Sequence, residues 1–139
     1  MMLLTLTLLQ KSSLSFLLPT GLALASGRWF VACATALLTY TSARYHGSRP
    51  PSWIEHLDKN LSRTYTCVYS YLAFVGWVNS GYTNTWFLRA VLGGVATTLL
   101  YSAEHVALAR NMCSYTVILW MHVCVQQAAC FACISYLLA

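Results

Sequence analysis

The chain has 139 residues, 58% of them hydrophobic and only 8% charged, with a formal net charge of +5 and a mean hydropathy of +0.59. An ordinary soluble domain is about one-quarter charged, so this composition excludes one and makes lipid the expected solvent. The length leaves no room for a separate soluble module. The eight basic residues form no patch interleaved with aromatics, which excludes nucleic acid as a partner.

The first 54 residues contain no acid. An apolar run opens at Leu3–Leu9, and a first span is expected at about 12–27, preceded by Lys11 and interrupted by Pro19. Ala23-Leu24-Ala25 has the small residues of a signal cleavage site, but no basic residue precedes the apolar run. The segment therefore reads as a retained anchor. A second span is expected at about 28–45, with Arg28 and Arg44 snorkelling to the headgroups at its ends.

A polar island follows, from Ser42-Ala43-Arg44-Tyr45-His46 to Leu57-Asp58-Lys59. Pro50-Pro51 stops the second span, and Ser52-x-x-Glu55 has the form of a capping box that opens an interfacial helix from 52. Trp53, Leu57 and Leu61 give that helix an apolar stripe suited to a membrane surface. A third span is expected at about 62–80. It ends in the turn Asn79–Asn84, around which Trp77, Tyr82 and Trp86 form an aromatic belt.

The fourth and fifth spans are expected at about 85–103 and 111–136, completing an all-α, polytopic bundle of four to five transmembrane helices in one domain. Ala90-x-x-x-Gly94 and Gly93-x-x-x-Thr97 place small residues on adjoining faces of the fourth span. Cys124, Ala128 and Ala132 form a similar ladder in the last, so helix packing is expected at Ala90, Gly94, Ala128 and Ala132. All six cysteines lie inside expected spans, and Cys130-x-x-Cys133 reads as packing, since no second pair accompanies it. Lys11, Arg44, Arg49, Lys59, Arg63 and Arg110 fall on one side, against Arg28 and Arg89. The 44–63 loop is accordingly assigned to the cytoplasmic or matrix face.

Ser42 and His46, four apart, share a helix face, and Asp58 follows in the next helix. Hydroxyl, imidazole and carboxylate converging at an interface can hold a metal and its water, with His122 as a further ligand. The alternative is a hydrogen-bonded unit that ties helices together without metal. Both readings expect Ser42, His46 and Asp58 to converge. Another constellation pairs His46 with His105 as axial ligands of a haem.

Ser42-x-x-Tyr45-His46 followed by Leu57-Asp58-Lys59 resembles the motif pair of the CREST superfamily, which comprises alkaline ceramidases, adiponectin/progestin-type receptors and hemolysin III-like proteins. The resemblance implies a zinc site formed by Ser42, His46 and Asp58 and completed by a histidine pair in the last helix. His122 stands at the second of those histidines and Ile118 at the first. The family has seven spans, and the resemblance covers Thr39–Ser62 and a stretch near His122.

Three functions are compatible with these features. The first is a non-catalytic accessory subunit of a larger membrane complex, such as a respiratory or ATP synthase assembly of the mitochondrial inner membrane. Its partners would be other membrane subunits and lipids. The second is a zinc-dependent lipid amidase of the CREST kind, and the third a haem- or quinone-binding anchor. Small size, basic character and the acid-poor N-terminal half favour the first, which calls for no cofactor.

Overall fold

The computed structural model describes residues 7–47 and 51–139, and over these it is α-helical with no strand. The start of the apolar run at Leu3, and Ser48, Arg49 and Pro50 of the polar island, lie outside the described residues. In chain order the helices are α1 (Leu8–Ser13), a 3₁₀ turn (Leu14–Phe16), α2 (Leu17–Ala25), α3 (Trp29–Tyr45), α4 (Ser52–Asn79), α5 (Thr85–Ala109) and α6 (Tyr115–Leu138). The chain divides into two compact units, Met1–Ser62 and Arg63–Ala139.

Two helices, α5 and α6, are long and apolar enough to cross a membrane. Their 25 and 24 residues reach about 36 Å at roughly 1.5 Å per residue, against about 30 Å of hydrocarbon. The other expected spans do not meet the same test. Glu55, Asp58, Lys59 and Arg63 crowd the first half of α4, α3 has 17 residues, and the segment before it is broken into three short pieces.

In the first unit, α1 opens with a capping box. Thr7 Oγ1 accepts the Gln10 N–H at 3.2 Å, and the Thr7 N–H donates to Gln10 Oε1 at 2.9 Å. The helix tightens to 3₁₀ just ahead of Pro19, which has no N–H to continue the ladder. This bent segment lies along α3 and is fastened by hydroxyls. Ser13 Oγ meets Ser42 Oγ at 3.0 Å, and Thr20 Oγ1 donates to Thr35 Oγ1 at 2.8 Å. Where lipid offers no hydrophobic drive between helices, such bonds are part of the glue.

Three helices stop in the same way. Gly27, Gly81 and Asn111 take positive φ of 69°, 63° and 49°. Each donates three residues back, and its successor donates five back: Arg28 to Ala23, Tyr82 to Trp77 and Met112 to Ala107. That is the Schellman arrangement, which glycine and asparagine enter most easily.

In the second unit, α5 and α6 pack against one another as an antiparallel pair. A Cβ at Gly93 would lie 2.9 Å from Ala132 Cβ and 3.0 Å from Ala132 Cα, so the small residues let the two backbones meet. Gly94 faces Ser70 of α4. Asn84 caps α5 by accepting from the Trp86 and Phe87 N–H groups, and its Nδ2 donates to the Ala139 carbonyl at 3.4 Å. The aromatic belt is partly assembled, with Trp77 edge-on to Tyr82 at 5.0 Å and Arg89 over the Trp86 ring at 4.5 Å.

Candidate functional site: buried polar pairs between helices

The last turn of α3 points adjacent hydroxyls in two directions. Ser42 Oγ meets Ser13 Oγ, while Thr41 Oγ1 donates to Asp58 Oδ1 at 3.1 Å. Thr41, Ser42 and Asp58 are all buried. Asp58 is placed by Ile54, one turn earlier on α4 and fully buried. Trp53, the expected head of the apolar stripe, turns outward instead. His46 is the C-cap residue of α3. Its carbonyl accepts from Thr7 Oγ1 at 3.3 Å, and its ring lies 4.8 Å from that of Tyr45.

Sequence reasoning named Ser42 and Asp58 but missed Thr41, the residue that bonds the carboxylate. Beside this group, Lys59 Nζ bonds Glu55 Oε1 at 2.6 Å and lies 5.9 Å over the Tyr45 ring. The Lys59 bond, with its positive charge, holds the Glu55 carboxyl below its usual range.

A second polar pair lies in the α5–α6 hairpin. His122 Nδ1 and Glu104 Oε1 are 2.9 Å apart. Glu104 is 5% exposed, and its other oxygen, Oε2, is buried with no hydrogen-bond partner among the described residues. The bond couples two helices.

A buried carboxylate is expensive to retain without a partner, and Glu104 has His122 on the next helix. A signal for this pair was present in the sequence. The α5–α6 turn closes around Cys113, and Glu104 and His122 lie nine residues before and nine after it, the register in which antiparallel helices meet.

The remaining candidates fall as follows. His105, beside Glu104, is exposed, with its ring 4.2 Å from that of Tyr101; it belongs to the second unit and His46 to the first. Ala90, Gly94 and Ala132 are buried and line a narrow cleft with Tyr65, Ser70 and Thr97, while Ala128 is half-buried and Cys124 exposed. Ala129 and Cys133 also line that cleft, so of the expected Cys124–Ala128–Ala132 ladder only Ala132 faces it. Cys130 and Cys133 are both buried, and Cys133 Sγ lies 2.7 Å from Tyr65 Oη.

A catalytic zinc takes three protein ligands and a water. Among the described residues, no three His, Cys, Asp or Glu side chains gather closely enough to hold a metal ion. Compared with protein-family models, curated proteins and solved structures, the chain gives no match.

Proposed function

We propose that this chain is a small, non-catalytic subunit embedded in a larger membrane assembly, crossing the bilayer four to five times. The observation that carries this reading is an apolar exterior. Trp29, Phe30, Tyr71, Leu92, Leu99 and Tyr115 are among the large apolar side chains facing out, and Phe30 is 85% exposed. Such an exterior is unfavourable in water and is the stable one against lipid or neighbouring helices.

The site supports the same reading. Ser42, Asp58 and His122 each bond a side chain of another helix, as residues that tie helices together do. The acid-poor N-terminal half favours a mitochondrial inner membrane, and the excess of basic residues favours the 44–63 loop on the matrix or cytoplasmic side.

The test is extraction of the native membrane in mild detergent, after brief cross-linking, followed by identification of the chains that travel with this one. The expected result is a particle well above the 15.5 kDa of the chain, which persists with looser packing in His46→Ala. A chain that migrates alone, or zinc-dependent lipid-amide cleavage lost in His46→Ala, would overturn the proposal.

A further inference from the structure

Arg63 is the last charged residue of α4, which carries none from Thr64 to Asn79. It therefore stands where a polar stretch gives way to an apolar one, the setting of a side chain at a membrane boundary. Its guanidinium is held by α5. Nη2 donates to Tyr101 Oη at 3.2 Å, and Cζ lies 5.9 Å from the centre of the Tyr101 ring. His105, one turn on, sets its own ring 4.2 Å from that of Tyr101. Arg63 and His105 are exposed and Tyr101 is half-buried, so the three make one surface cluster. His105 stands four residues before the end of α5. That is roughly 6 Å along the axis, near the edge of the hydrocarbon when α5 crosses.

The cluster is short of an anion. The chain has three acidic residues, and each is engaged elsewhere: Glu55 with Lys59, Asp58 with Thr41 and Glu104 with His122. Among the described residues no carboxylate pairs with Arg63. Tyr101 Oη accepts from Arg63, so its own O–H is left to donate, and the guanidinium keeps N–H groups beyond the one Tyr101 takes. A guanidinium and a phenol O–H side by side suit a phosphate, whose oxygens accept from several directions and pair with arginine through two bonds at once. At the edge of the hydrocarbon the phosphate within reach is that of a lipid.

We propose that Arg63 and Tyr101, flanked by His105, hold the phosphodiester of an anionic glycerophospholipid on the surface shared by α4 and α5. Arg63 supplies the charge, and Tyr101 both positions the guanidinium and adds a hydrogen bond. Contact with the ring orders the arginine before the lipid arrives, so less freedom is lost on binding. The inference rests on the membrane reading of α5 and adds a lipid site to it.

The test uses the full chain in phosphatidylcholine liposomes carrying a minor share of spin-labelled phosphatidylglycerol. The motionally restricted lipid should favour phosphatidylglycerol over equally labelled phosphatidylcholine by about fivefold, the effect of one well-placed basic residue. Arg63→Gln should remove most of that preference, and Tyr101→Phe, which keeps the ring, about half of it. Arg110→Gln takes a charge from the same end of α5 outside the cluster and should leave the preference intact. Equal losses in Arg63→Gln and Arg110→Gln would put net charge in place of a site and overturn the proposal. Displacement of the lipid by millimolar inorganic phosphate would assign the anion to solution and overturn it as well. An unchanged preference in Tyr101→Phe overturns the role of the hydroxyl. A chain that resists alkaline carbonate extraction yet shows no preference overturns the lipid site alone, leaving Arg63 to a carboxylate of a neighbouring chain. Release by carbonate overturns the membrane reading and the site with it.

Discussion

A buried carboxylate bonded through one oxygen makes the consequence of losing its partner predictable. His122→Ala leaves Glu104 in an apolar hairpin with no donor for either oxygen among the described residues. The expected loss is about 3–5 kcal/mol, the range for breaking a buried pair. The double variant Glu104→Leu with His122→Leu removes the desolvation cost as well as the bond and should equal or exceed the native stability. Denaturation in detergent, followed by circular dichroism, separates the two, and equal losses in both variants would defeat the argument. Glu55 is the mild counterpart at the surface. Lys59 depresses its carboxyl, so its contribution is present above the usual carboxylate range and fades as pH falls through the lowered value. Hydrogen-exchange protection around residues 56–59 should decline on acidification and lose that dependence in Glu55→Gln. An unchanged acid response in the variant would assign the effect elsewhere.

The same substitution should have opposite signs in two helices. At Gly93 a methyl would meet Ala132 at its Cβ and Cα, and backbone cannot rotate away, so Gly93→Ala should destabilise the α5–α6 pair by about 1–3 kcal/mol. At Gly21, inside α2, nothing lies within 4 Å, and Gly21→Ala should gain up to about 1 kcal/mol from helix propensity. Thermal unfolding in one detergent compares them directly, and two shifts of like sign would refute the packing account. What could be read beforehand follows the same division between local and tertiary causes. The turn at Asn79–Asn84 was legible because its residues suit turns, and the Thr7–Gln10 box had as clear a signature as Ser52–Glu55, though it was passed over. Side-chain direction was less legible. Residue size alone cannot tell the Cys124–Ala128 side of α6 from the Ala129–Cys133 side, because the facing helices decide it. Thr41 and Ser42 are both small hydroxyls, and only the position of α4 assigns Asp58 to Thr41.

Composition, with only 8% charged residues, already pointed to apolar surroundings, and α5 and α6 are long and apolar enough to cross a membrane. It left the number of crossings open, since α4 is a single helix of 28 residues with its charges gathered at one end. That question has a direct test. If α4 and α5 both cross, the chain passes through the bilayer twice between the polar island and the α5–α6 turn, so both must lie on one face. In the topology proposed above, six of the eight basic residues lie on that face, the cytoplasmic or matrix one by the positive-inside rule. Cys113, exposed in the turn, is a native reporter, and Asn60→Cys, exposed near the start of α4, is its counterpart. In sealed vesicles, with the remaining cysteines changed to serine, an impermeant maleimide should reach both sites from the same side. Labelling from opposite sides would mean that only one of the two helices crosses. With α5 already long and apolar enough to do so, α4 would then lie along the surface and the count of four to five spans would fall.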